Sequence, residues 1–237
     1  MLNERIISQV TGYWASHLGC PTEVLFAEPL HIITHGVELA DYSGIFALFR
    51  GKAATVSFPP GCIESFDQLM PAQPATPTSF ADAFGASGYV VVGPAYIGYA
   101  EDIRLPAYPV RSLTLHDASA VSTLRAACAE IEWEHGGSLV GEQPSSGVFV
   151  GDQLVALAGY DVWAGIVAHI SVITHPAFRA RGFGCSAVAH VAQRALSARL
   201  IPQYRTLESN LASIRIADSL GFCHYATSVA VRLDRNA

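Results

Sequence analysis

Arg179, Arg181, Gly182 and Gly184 fall within six consecutive residues, between an apolar run that ends at Thr174 and a long stretch of helix formers. The full segment, THPAFRARGFGCSAVAHVAQRAL from Thr174 to Leu196, leaves a strand, spends a proline and two arginines on a loop, and opens a helix across two glycines. Glycines at such a mouth let a ligand approach the backbone. A helix start offers unpaired N–H groups and the positive end of the dipole, and an arginine can add a charge-assisted bond. The chemistry predicted is binding of an anion, in practice a phosphate-bearing ligand. Gly182-Phe183-Gly184-Cys185-Ser186-Ala187 also fits the dinucleotide pattern G-x-G-x-x-A, with Glu208 somewhat beyond the usual spacing for a ribose contact. In a dinucleotide site the first glycine turns directly off its strand, whereas here His175 to Arg181 intervene, Pro176 among them. A Walker A loop, with Gly-Lys-Ser/Thr after four spacers, is absent.

The elements that must hold this loop can be read from periodicity and punctuation. The second half predicts a short strand at VRSLTL, then a helix capped by Asp117 in which Leu124, Cys128 and Ile131 recur at i, i+4 and i+7. GVFVGDQLVALAGYDV reads as a hairpin turning at Gly151-Asp152, and IVAHISVIT as the strand feeding the loop. A helix from about Gly184 to Leu200, a strand QYRTLES, a helix from about Leu211 to Leu220 and a strand FCHYATSVAVRL complete the order β-α-ββ-β-α-β-α-β. The first half predicts an amphipathic helix over Glu4–Leu18 stopped by Gly19, strands at EVLFAE and LHIITH, a hairpin GIFALFRGKAATVSF, helical turns at CIESFDQLM and SFADAFGA, and a strand GYVVVG. Pro106 and Pro109 mark a boundary, giving a smaller N-terminal α/β domain over 1–105 and a second domain over 109–237.

Composition limits the function classes. Of 237 residues 51% are apolar and 14% charged, enough for two packed cores. No apolar run approaches the length of a membrane span and the N-terminus lacks a signal-peptide core, so a soluble, cytoplasmic protein is expected, with no membrane partner. Residues 1–108 carry four bases against ten acids, a net of −6, while residues 109–237 balance ten against ten. Neither half shows the basic stripe of a nucleic-acid binder. The acidic half suits a cationic substrate or simply a solvated surface. Cys20, Cys62, Cys128, Cys185 and Cys223 are scattered and odd in number, which predicts buried reduced thiols, with neither a disulfide framework nor a metal site.

Arg179-x-x-Gly182-x-Gly184 after an apolar strand resembles motif A of the GNAT superfamily of N-acetyltransferases, (Gln/Arg)-x-x-Gly-x-(Gly/Ala). Asn210-x-x-Ser213, followed by Ile216-Ala217 and Leu220-Gly221-Phe222, resembles the family's motif B. The resemblance covers about residues 109–233 and implies an α/β (α+β) fold, a mixed central sheet flanked by helices. The family usually has two helices between its first two strands, and ACAEIEWEHGGSLVGEQPSS is where the second would fall.

The resemblance further implies acetyl-CoA as co-substrate, without a metal, and a small-molecule amine as acceptor, acetylated by direct attack in a ternary complex. By position, Val172, Ile173 and Thr174 match the splayed strand whose free backbone groups bond the pantetheine. Arg179, Ala180, Arg181, Gly182, Phe183, Gly184 and Cys185 match the pyrophosphate loop, and Asn210 and Ser213 the contacts to the cofactor arm. Plain alternatives stand beside each: tight helix packing for the glycines, solvated loop charges for the arginines, a helix cap for Asn210. The tyrosine that often protonates the departing thiolate is replaced by Ala217. Tyr204 or Tyr225 would have to serve instead, or the thiolate leaves unassisted, or the chain binds coenzyme A without turning it over, as a regulatory protein. His169 has a suitable pKa for the base and Glu208 is a second candidate, while His175 and Cys185 read as structural. The N-terminal half resembles a degenerate partner lobe, closing over the acceptor or forming a homodimer surface.

Overall fold

The computed structural model describes residues 2–27, 29–70 and 75–233. Its ten strands and six helices, a mixed α/β architecture, group into two compact units that are not consecutive in the chain. One gathers Asn3–Ile97, Thr206–Asn210 and the chain from His224 onward, and the other gathers Gly98–Arg205 and Leu211–Cys223.

The first unit opens with α1 (Glu4–Leu18), capped by the Asn3 carboxamide accepting from the Ile6 N–H and closed by Gly19 in the left-handed region. Then come β1 (Leu30–Thr34), the hairpin β2 (Gly44–Arg50) and β3 (Ala53–Phe58), α2 (Pro77–Ala86) and β4 (Val90–Tyr99). The last strand, β10 (Cys223–Arg232), lies antiparallel to β2, and the order is β1-β3-β2-β10-β4, with β1 parallel to β3. Phe49, Phe58, Phe80, Phe84 and Val229 form its core. The run EVLFAE is not a strand: Pro21 starts successive turns, Val24 N–H to Pro21 O and Ala27 N–H to Val24 O, with Phe26 at φ 63°. Glu28, its last residue, lies outside the described residues.

The second unit carries β5 (Arg111–Ser112), α3 (Ala118–Ala127), α4 (Glu130–Gly136), β6 (Ser145–Val150), β7 (Gln153–Trp163), β8 (Val167–Thr174), α5 (Phe183–Ser197), β9 (Ile201–Leu207) and α6 (Leu211–Leu220), with strand order β9-β8-β7-β6-β5. The single helix expected through Leu124, Cys128 and Ile131 is two. Cys128 is extended (φ −103°, ψ 154°), and the Glu132 carboxylate accepts the Ala129 N–H to start α4 afresh. Leu124 is accordingly buried while Ile131 faces solvent. Asp117 does not cap α3; its carboxylate accepts from the Thr114 N–H one turn earlier and pairs with Arg111. Leu113, Leu124, Leu154, Leu157 and Ile173 make the core on this side of the sheet. All five cysteines are free thiols, half-buried rather than buried. Among the described residues no helix is long and apolar enough to cross a membrane.

Phe80 is fully buried and packs on Phe49 and Phe84. Phe80→Ala should lower the unfolding free energy of the first unit by about 3–5 kcal/mol, read by chemical denaturation.

Candidate functional site

β8 pairs antiparallel with β7 over its whole length, Ala156↔Thr174 to Trp163↔Val167. On its other edge it pairs parallel with β9 over four residues only, Val167↔Ile201 to Ile170↔Tyr204. Ser171–Thr174 continue beyond that ladder, so β8 offers an open backbone edge while β7 keeps it straight. Side chains alternate across this stretch. Val172 and Thr174 face the start of α5, and Ile173 lies in the opposite core, leaving only its backbone for a ligand.

The loop that follows makes a 3-10 turn at Pro176–Phe178, in which His175 Nδ1 accepts the Ala177 N–H. Ala180 at φ 58° and Gly182 at φ 85° then turn the chain into α5. Gly182 occupies the N-cap without a capping side chain, leaving the first N–H groups of α5 without one. A Cβ on Gly184 would sit 2.6 Å from Thr174 Oγ1, so helix and strand meet here at a distance only glycine allows. α5 keeps this approach with a buried face of small residues, Ala187, Ala189, Ala192 and Ala195 among them.

Arg179 is spent on holding the loop: its Nε donates to Thr174 O (3.2 Å) and its Nη2 to Glu132 Oε2 (2.8 Å), which holds the Glu132 carboxyl below its ordinary range. Arg181 lies over the Phe178 ring, 5.5 Å from its centroid, and makes no ion pair among the described residues. Phe183 stacks against Tyr108, whose N–H donates to Ser186 Oγ. Cys185 is half-buried with Sγ 3.4 Å from Ser219 Oγ.

On α6, Ser213 shares a 2.8 Å hydrogen bond with the Tyr204 hydroxyl. Tyr204 is almost wholly buried, and burial pushes its phenol up to about 12. Ala217, where the family's tyrosine would stand, is fully buried. Asn210 directly precedes α6, its N–H on Leu207 O. Tyr225 and Glu208 belong to the first unit, where the Tyr225 hydroxyl bonds Thr11 and Glu208 accepts from Thr227.

His169 lies on the face opposite Val172. Its Nδ1 is 2.9 Å from Gln203 Oε1, Gln203 Nε2 donates to the Tyr99 hydroxyl (2.6 Å), and the imidazole stacks on Trp163 at 3.9 Å. Burial, and then the nearby Arg205 charge, push its pKa down to about 4. Sequence reasoning missed Gln203, Tyr99, Trp163 and Tyr108: each depends on strand register or on a loop crossing α5, and neither leaves a local pattern.

A separate open groove of about 720 Å³ lies at the far edge of this unit's sheet, between Arg111, His116, Phe149 and Asp152. Its arginine is locked on Asp117 at 2.6 Å and stacked on Phe149, which leaves no cation free for a phosphate.

Residues 146–228 match the family model of GNAT acetyltransferases. An acetyltransferase of the GNAT family from Colwellia psychrerythraea shares the fold at TM-score 0.56 and 12% identity, over 98% of this chain and 97% of that one. A GNAT-family protein from Novosphingobium aromaticivorans matches at TM-score 0.47 and 24% identity, over 61% of this chain and 66% of that one, just under two thirds of its length. A Salmonella typhimurium protein solved with its cofactor acetyl-CoA matches at TM-score 0.39 and 18% identity, over 54% of this chain and 95% of that one. No curated protein matches.

The His169 pKa carries a stability consequence. Between about 4 and the ordinary 6.5 the unfolded chain takes up the proton and the folded one does not, so stability falls as pH drops through this window and is flat above it. The full effect is about 3 kcal/mol. The His169 Hε1 resonance should titrate near pH 4; a midpoint near 6.5 would show the imidazole in water.

Proposed function

We propose that this protein transfers an acetyl group from acetyl-CoA to an amine of a small molecule, by direct attack within a ternary complex. The observation that carries the reading is that one strand supplies two matched features. β8 leaves its edge open over Ser171–Thr174 and runs straight into a loop whose helix start presents uncapped N–H groups. An extended amide-bearing arm ending in a pyrophosphate suits that pair: the arm bonds the strand edge and the anion meets the helix dipole. Gly184 lets α5 start hard against Thr174, at the end of that strand edge, and Arg181 is the cation of the loop between them. Acetyl-CoA supplies the thioester. Backbone N–H groups of β8 would polarise its carbonyl, and the fixed geometry would lower the entropic cost of the encounter.

One specific observation favours a second reading, a coenzyme A-binding regulator without turnover: the buried Ala217 replaces the usual proton donor. Both readings require binding and they separate on thiol release. A thiolate leaves with far less assistance than an amine, so an acetyl-CoA-dependent rate is expected even without that donor.

Calorimetric titration with acetyl-CoA should give micromolar affinity, and Gly182→Trp should weaken it at least about tenfold. Because φ 85° strains any other residue, Gly182→Asn serves as the control that keeps the turn without the bulk. Equal affinity in wild type and Gly182→Trp would remove the pyrophosphate from this loop.

A further inference from the structure

The sheet face on the α3 and α4 side carries a row of polar groups that cofactor binding does not use. Asp161 on β7 stands directly opposite His169 on β8, which stands directly beside Gln203 on β9. The alternation of side chains puts all three on the same face as Ile173, whose side chain packs with Leu124 of α3. Gln143 extends the row outward, its Nε2 donating to Asp161 Oδ1, and Tyr99 ends it in the core beneath Gln203. It runs from an exposed carboxylate, through a half-buried imidazole, to two residues with no exposed surface.

The inner end fixes the chemistry of the middle. The Gln203 amide nitrogen is spent on Tyr99, so its oxygen faces His169 and can only accept. His169 therefore donates from Nδ1 and keeps its lone pair on Nε2, which has no hydrogen-bond partner among the described residues. Trp163 lies flat against the imidazole at an interplanar angle of 12° and is itself half-exposed. Asp161 makes no ion pair among the described residues. The charged groups acting on His169 are Asp161 and Arg205.

A carboxylate without a counter-ion, an indole face and a neutral ring nitrogen offering only a lone pair share one complement. Each attracts a cation or accepts an N–H. A carboxylate or phosphate ligand would meet repulsion from Asp161, and the cation that acts on His169, Arg205, stands on β9, across β8 from Asp161 and Trp163. An alcohol would satisfy one acceptor and leave the charge unpaired. A primary ammonium has three donors, a positive charge and a small head that fits against an indole. We propose that Asp161, Trp163 and His169 form the seat of a primary ammonium group, with Gln203 and Tyr99 positioning the imidazole. Its identification as the acceptor end of the reaction rests on the acetyl-transfer reading; its preference for a cationic amine rests on these residues alone. A neutral His169 is required here, since an imidazolium would repel the ligand it is meant to hold.

The test is an NMR titration with phenethylammonium chloride at pH 7, without acetyl-CoA, following the His169 Hε1 and Trp163 indole N–H resonances. The neutral isostere 2-phenylethanol is the control. Both resonances should shift saturably with the amine and stay put with the alcohol, and Asp161→Asn should raise the apparent Kd about tenfold. Asp161 is exposed and asparagine keeps an acceptor for Gln143, so this variant should fold; Trp163→Leu, removing the indole face, should weaken binding independently. Absence of shifts in the wild type, equal shifts with the alcohol, or an unchanged Kd in Asp161→Asn would overturn the seat. Acetyl-CoA binding tested on the same sample separates the two readings. Cofactor binding without amine shifts sinks the seat alone, and amine shifts without cofactor binding support the seat and sink acetyl transfer.

Discussion

The site depends on a parallel ladder that stops early. β8 and β9 pair over four residues and no further, although both strands continue. An open backbone edge inside a sheet is costly unless something satisfies it. β8 pays no conformational penalty for its opening, because β7 pairs it as far as Thr174. The opening is thus rigid on one side, which suits a ligand that binds by backbone hydrogen bonds. The helix start beyond it is placed by the same strand, so arm and anion are aligned by one element.

The two faces of that sheet do different work. On the α5 side the packing is close and uncharged: Gly184 against Thr174, a small-residue helix face, and a Tyr204 phenol buried against Ser213. With its pKa pushed to about 12, that phenol is a hydrogen-bond donor and a poor source of a proton for a thiolate, whose conjugate acid is far stronger. On the α3 side the row from Asp161 to Tyr99 is polar and graded in burial.

Most elements were legible before any coordinates. The pattern around Gly51 announced its hairpin, Gly19 its helix stop, and Arg179-x-x-Gly182-x-Gly184 the loop, because each is governed by residues within a few positions. What failed was governed by tertiary contacts. The apolar spacing Leu124–Cys128–Ile131 reads through a break that Glu132 imposes, and Glu132 is fixed in turn by Arg179, 47 residues away. The same contact changes what Arg179 does: its type and position suit a phosphate, yet its guanidinium is committed to a carboxylate and a strand end. Of the catalytic candidates, His169 was visible as a residue but not as a neutral one, since its state is set by burial and by the Arg205 charge on a neighbouring strand.

The most direct test of this account is amide hydrogen exchange with and without acetyl-CoA. The open strand edge and the uncapped helix start predict new protection confined to Ser171–Thr174 and Phe183–Cys185. Protection at the Arg111–Asp152 groove, with those two segments unchanged, would contradict it.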